Sequence, residues 1–142
     1  MKIGTLVAAI AGGIVIFLLG GLSFGFLLAD YFMSNTIDYP GLAKKPASLP
    51  LIFLFNVVWA WLIAFVLDYA GKSGWAEGAK AGAIVMFIIG LGINLEYEAF
   101  MNLHRSMTPM LVHILLMTIM GAISGAVIGL VLGFFNRRPA QV

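Results

Sequence analysis

The feature that most constrains this chain is an uninterrupted apolar run near its start. Ile3–Ala29 holds 27 residues without a charged side chain, and about 20 residues of helix are enough to cross the hydrocarbon core of a bilayer. Apolar residues make up 62% of the chain and charged residues 10%, against about 45–50% and about 25% in soluble domains. A small soluble domain cannot bury that much apolar surface, so the run predicts a membrane protein.

Three further apolar segments complete the predicted topology. Helices are expected throughout, because strands in lipid must close into a barrel and no segment alternates with period two. Only 15 uncharged residues separate Lys80 from Glu96, or about 22 Å of helix, so the third span must take at least one charge into the membrane zone. We predict an all-α integral membrane protein with a single domain over residues 1–142, spans at about 3–29, 49–69, 78–98 and 109–135, and a long outer loop at 31–48.

The distribution of basic residues predicts the orientation. Short cytoplasmic loops carry an excess of Lys and Arg. One side of the predicted topology holds five basic residues and the other holds three: Lys2, Lys72, Lys80, Arg137 and Arg138 against Lys44, Lys45 and Arg105. Both termini are therefore expected on the cytoplasmic side of the membrane.

Two patterns concern how the helices pack. Residues 11–20 match residues 81–90 at six of ten positions, which indicates two repeated helical hairpins or a chance similarity of apolar sequences. Small residues mark helix interfaces in lipid. A glycine row typical of a glycine zipper occupies the fourth span, and shorter rows occupy the third and first spans. In that order the rows are Gly121, Gly125, Gly129 and Gly133, then Gly78 and Gly82, then Gly21 and Gly25. Packing within one bundle and a homodimer seam are both consistent with these rows.

A cluster of polar residues is predicted at membrane depth near the outer side. Ionisable groups within a membrane are costly and are candidates for function. The candidate proton or binding site comprises Glu96, Glu98, His113, Asn56, Asn94 and Arg105. On a helical wheel Glu96 lies about 200° from Glu98, on the side of Gly82, so Glu96 is predicted to face a neighbouring helix and Glu98 to face water or Arg105. A structural ion pair, a proton or cation site and a surface position are the three interpretations.

Other chemistries have weaker sequence support. Trp59 and Phe55 lie one turn apart in the second span, where a flat cofactor or lipid would stack, or where the two rings simply pack. A metal site would draw on Asp30, Glu96 or Glu98 with His104 or His113, but no pair has diagnostic spacing. No cofactor is predicted, the metal question stays open, and a net charge of +2 without a basic stripe argues against nucleic-acid binding.

The chain resembles an uncharacterised family of small bacterial four-helix membrane proteins, the domain-of-unknown-function family numbered 1761. The similar features are Gly20-Gly21, Gly78-x-x-x-Gly82, the segment Asn94 to Glu98 with a basic residue following, and Met120-Gly121-Ala122-Ile123. The resemblance implies the four-helix fold and a location in the inner membrane of a bacterium, and it implies no activity.

Three function classes follow. The first is an oligomeric transporter or channel for a small solute, ion or proton, which requires the outer polar cluster to line a cavity. The second is a non-catalytic accessory or scaffold subunit that binds a larger membrane complex or lipid, and it requires a bundle without a cavity. The third is a membrane enzyme or a cofactor- or metal-binding protein, which needs a ligand between the helices. An enzyme is the less favoured prediction, and the expected partners are the lipid bilayer and either further copies of the chain or a larger membrane complex.

Overall fold

The described part of the chain folds into four long helices and one short one. The computed structural model describes residues 2–136. The helices are α1 (Ile3–Leu22), α2 (Ala29–Asn35), α3 (Leu49–Tyr69), α4 (Trp75–Phe100) and α5 (Thr108–Asn136), and α1 continues directly into a π-helical segment, Ser23–Leu27. Four of these stretches are long and apolar enough to cross a membrane, and the described part contains no strand. The predicted all-α membrane fold with four spans is confirmed.

The four long helices form a bundle in which α5 contacts every other long helix. The most extensive contact joins α4 to α5, followed by α1 to α3 and α1 to α5, while α3 touches α4 and α5 over smaller areas. The core between them is apolar and includes Ile16, Ile63, Met86, Met117 and Ile128. The chain is thus arranged as two packed hairpins, α1–α3 and α4–α5.

The α4–α5 contact brings two backbones together. A Cβ atom on Gly78 would overlap the carbonyl oxygen of Gly125, and one on Gly82 would overlap that of Gly121. Gly129 meets Gly74 in the same way, and the Gly74 N–H donates to the Gly129 carbonyl oxygen at 2.8 Å. We call Gly74, Gly78, Gly82, Gly121, Gly125 and Gly129 the glycine seam. Gly133 lies at its margin, where an added Cβ would find only ordinary contacts at 3.7 Å or more.

Glycines play two different roles along the first span. In the first half of α1, Gly12 and Gly13 are buried against Ile128 and Val57, and a Cβ atom at either position would collide with those side chains. Further along, an added Cβ at Gly20, Gly21 or Gly25 would meet no atom within 4 Å. Gly21 and Gly25 therefore do not mark a packing face within the single chain, because the neighbouring helices lie farther from the first span there.

The two ends of the bundle are closed by different contacts. At the end that carries both described termini, the Lys2 ammonium lies 2.7 Å from Asp68 Oδ1, and Thr5 Oγ1 donates to Asp68 Oδ2 at 3.1 Å. At the opposite end, which we call the loop end, the Ile37 N–H donates to the Leu103 carbonyl oxygen at 2.8 Å. The Tyr39 hydroxyl donates to the Asn102 carbonyl oxygen at 2.7 Å. These bonds fasten the α2–α3 connection to the α4–α5 connection.

The loop end differs from the prediction in two respects. Residues 31–48 were expected to form a loop, but α2 extends through Asn35. Glu98 was expected to face water or Arg105, but α4 ends at Phe100, so Arg105 lies in the connection that follows the helix. The Arg105 N–H donates to the Asn35 carbonyl oxygen at 2.9 Å, a backbone role that the sequence pattern does not predict.

Candidate functional site

A cavity of about 500 Å³ lies among α1, α3 and α5 in the half of the bundle nearer the loop end. This volume falls within the roughly 300–1,000 Å³ typical of small-molecule sites. The side chains of Ile16, Asn56, Met117 and Met120 at its base are buried or nearly so. Its remaining lining residues are Phe17, Gly20, Gly21, Phe24, Gly25, Ala47, Leu49, Ile52, Phe55, Trp59 and His113.

Part of the cavity wall formed by the first span carries no side chains. Gly20, Gly21 and Gly25 line the cavity and leave open space where other residues would project. The helix also loosens into its π-helical segment at Ser23–Leu27. Single π-helical turns within helices are frequently found at functional sites. Missing side chains and a widened turn therefore shape the same wall.

Asn56 is the least satisfied polar residue of the cavity. Its side chain is 4% exposed, and α3 places it about 10 Å from the start of that helix at 1.5 Å per residue. Neither its amide nitrogen nor its amide oxygen has a hydrogen-bond partner within residues 2–136. In that range, Tyr31 Oη is the only fully buried side-chain N or O atom without a hydrogen-bond partner. The unpaired polar atoms of Asn56 are therefore not fully buried and stay accessible from the cavity. A buried polar group left unpaired costs about 1–3 kcal/mol.

His113 enters the same cavity from α5 and is held by Asn94 of α4. Asn94 is 2% exposed, and its Nδ2 lies 2.7 Å from both the Gly90 carbonyl oxygen and His113 Nδ1. Because a carbonyl only accepts, the amide nitrogen must face Gly90, and its second hydrogen is then donated to His113 Nδ1. The imidazole is therefore neutral and carries its proton on Nε2.

Aromatic rings fix the position of that imidazole and form much of the remaining wall. The Phe24 ring centroid lies 5.3 Å from that of His113, and the Phe32 ring is perpendicular to the imidazole at 6.4 Å. On α3, the Phe55 and Trp59 rings lie 4.8 Å apart. No Asp, Glu, Lys or Arg of the described chain lines the cavity. The chemistry of this lining suits an uncharged, mainly apolar molecule with a polar group near Asn56 and His113.

The predicted polar cluster is only partly assembled. Asn94 and His113 are hydrogen-bonded, and Asn56 shares the cavity with His113. Glu98 instead pairs with a residue outside the predicted set, His104, whose Nδ1 lies 2.6 Å from Glu98 Oε1. Arg105 is exposed in the α4–α5 connection.

The expectation that Glu96 faces a neighbouring helix is wrong, since Glu96 is exposed on the surface of the chain. The buried row of α4 advances in steps of four through Gly78, Gly82, Met86, Gly90 and Asn94, and its next member is Glu98. A row of this kind drifts around the helix by about 40° per step, because 3.6 residues make one turn. A straight helical wheel therefore selected the wrong carboxylate.

Neither a metal-ligand cluster nor a similar known protein points to a function for the described residues. Within residues 2–136, no three His, Asp or Glu side chains come together in a way that would hold a metal ion. Comparisons with protein-family models, curated proteins and solved structures find no match to this chain.

Proposed function

We propose that this protein is a membrane-embedded binding protein for an uncharged lipophilic small molecule, held in the cavity among α1, α3 and α5. The observation that carries the proposal is the Asn56 amide, buried at the base of a cavity of about 500 Å³ and without a protein partner among the described residues. An acyl chain of a bulk lipid would leave that amide unpaired. A ligand with a polar group at the right point would satisfy it.

The lining favours binding over the other two function classes. A scaffold subunit is expected to have a tightly packed bundle, whereas α1 leaves a gap beside α3. A channel or proton pathway is expected to use the acidic residues of the cluster, but Glu96 and Glu98 lie outside the cavity lining. A mainly apolar chamber with few polar groups is typical of small-molecule sites.

The position of the mouth supports entry from the membrane. Four residues of the cavity lining are exposed: Gly21 of α1, Gly25 of the π-helical segment, and Leu49 and Phe55 of α3. A molecule dissolved in the bilayer would pass between these two helices without crossing a polar surface. In this proposal both termini lie in the cytoplasm of a bacterial cell, and the cavity opens into the outer leaflet of the inner membrane.

Trp59 provides a direct test of occupancy. Trp61 and Trp75 are 45% and 65% exposed, so a Trp61→Phe/Trp75→Phe background leaves only the cavity indole as a fluorophore. The purified protein in detergent micelles is titrated with a decyl-substituted benzoquinone, an uncharged lipophile whose ring quenches a nearby indole. We expect saturable quenching at one quinone per chain.

The decisive test is a variant whose new side chain fills part of the cavity. Gly21→Leu projects a side chain into open space, and Leu is the better helix former by up to about 1 kcal/mol, so the variant should fold. Gly92→Leu is the matched control, because an added Cβ there also meets no atom within 4 Å and Gly92 does not line the cavity. Saturable quenching should disappear in Gly21→Leu and persist in Gly92→Leu. Quenching that never saturates, or that survives in Gly21→Leu, would overturn the proposal.

A further inference from the structure

The polar groups that face the cavity are mostly hydrogen-bond donors. The Asn56 amide supplies two N–H bonds and one acceptor oxygen, and neutral His113 supplies Nε2–H because Asn94 occupies its other nitrogen. Trp59, one turn from Asn56 along α3, also lines this space, and no hydrogen bond pairs its indole N–H with another group within residues 2–136. An indole N–H only donates. Donors therefore come from three side chains and a side-chain acceptor from only one of them.

The tautomer of His113 decides part of this balance. A neutral imidazole free to choose would offer either a donor or an acceptor to the cavity. Asn94 removes the choice, because its amide nitrogen is held by the Gly90 carbonyl oxygen and must donate to Nδ1. Asn94 itself is not part of the lining, so it acts as a positioning residue.

Resting on the proposed function, we infer that the ligand carries a carbonyl oxygen on an otherwise apolar body and that Asn94 sets this preference through His113. A carbonyl oxygen accepts two hydrogen bonds and donates none, which matches a cavity of neutral donors without a charged side chain. A carboxylate would enter without a cation to pair with it. A hydrocarbon would leave Asn56, His113 and Trp59 unpaired.

Matched competitors test the preference. Quenching of Trp59 by the benzoquinone is displaced with 2-tridecanone or with tridecane, two chains of equal length that differ in one carbonyl oxygen. Because the ketone oxygen can accept hydrogen bonds that the alkane cannot, we expect the ketone to displace the quinone at about tenfold lower concentration, equivalent to about 1.4 kcal/mol. Equal displacement by the two competitors would overturn the inference while leaving the proposed function intact. Absence of saturable quinone quenching would instead overturn the proposed function itself.

Variants assign the preference to its residues. His113→Phe keeps an aromatic ring but removes the donor, and Asn56→Leu keeps the approximate volume but removes the amide. Each should lower the ketone-to-alkane ratio severalfold while tridecane competes as well as before. An unchanged ratio in both variants would refute the assignment.

The role of Asn94 has its own spectroscopic test. In protein labelled with ¹⁵N-histidine, the His113 resonances should report the Nε2–H tautomer, with His104→Gln used to identify them. Asn94→Leu should give a mixture of tautomers and a reduced ketone-to-alkane ratio. A pure Nε2–H tautomer in Asn94→Leu would show that Asn94 does not set the preference.

Discussion

Substituting Asn56 by Leu should make the ligand-free protein more stable. The Asn56 amide is buried, lines a mainly apolar cavity and has no hydrogen-bond partner among residues 2–136. Because lipid or detergent chains that fill this cavity offer the amide no partner, the unpaired amide opposes folding by about 1–3 kcal/mol. Leu has a similar volume, needs no partner and adds apolar contact with the cavity wall. We expect the free energy of unfolding to rise by about 1–2 kcal/mol.

The same chemical change at Asn94 should have the opposite effect. Asn94 donates to the Gly90 carbonyl oxygen and to His113 Nδ1, both at 2.7 Å. Asn94→Leu removes two hydrogen bonds of roughly 0.5–1.5 kcal/mol each and leaves the imidazole nitrogen unpaired. Hydrogen bonds between membrane helices fall at the lower end of such values. A loss of about 1–3 kcal/mol is expected.

The two variants are compared with the parent protein by equilibrium unfolding in mixed micelles of rising sodium dodecyl sulfate fraction. Helix content is followed by circular dichroism, without added ligand and in delipidated protein. A midpoint above the parent for Asn56→Leu and below it for Asn94→Leu supports the reasoning. If Asn56→Leu loses as much stability as Asn94→Leu, then Asn56 has a structural partner and the cavity is not built around an unpaired amide.

Three further predictions concern packing, topology and the acidic residues. Gly82→Leu should destabilise the protein by about 1–3 kcal/mol or more, because its side chain must separate α4 from α5. The control variant Gly92→Leu should unfold like the parent. Single cysteines at Leu42 and Ala140 should react with an impermeant maleimide from opposite faces of the membrane. If both react from the same face, the four-span topology is wrong. Glu98→Gln should weaken the loop end by up to about 1 kcal/mol, because it replaces the carboxylate that contacts the His104 imidazole; faster amide exchange in the α4–α5 connection would report this loss. Glu96→Gln should stay within about 0.5 kcal/mol of the parent.

The sequence predicts the helices well because lipid imposes a simple rule. A long uncharged segment in a bilayer must satisfy its own backbone, which only a helix does within one segment. That rule locates four spans without knowledge of their neighbours. It does not describe the connections, where α2 and the short backbone pairing of Ile37 with Leu103 depend on contacts between distant segments.

The site is less predictable because a cavity is an absence of contact. Gly78 and Gly21 look alike in sequence, yet the backbone of α5 fills the space beside the first and nothing fills the space beside the second. The prominence of Glu96 has a related cause. The depth of a residue in the membrane is readable from the length of its span, but the side of the helix that is buried depends on how α4 crosses α5.

The glycine seam has a consequence for tolerance at a distance. Two helices in backbone contact change register by about one helical turn, or about 5.4 Å, and do not slide by small amounts. Gly82 is about 18 Å along α4 from Asn94, counted at 1.5 Å per residue. The alignment of the 2.7 Å hydrogen bond from Asn94 to His113 therefore depends on the glycine seam, which lies far from the cavity. For the proposed binding function, substitutions in the glycine seam should change ligand selectivity at a smaller loss of stability than is needed to unfold the bundle.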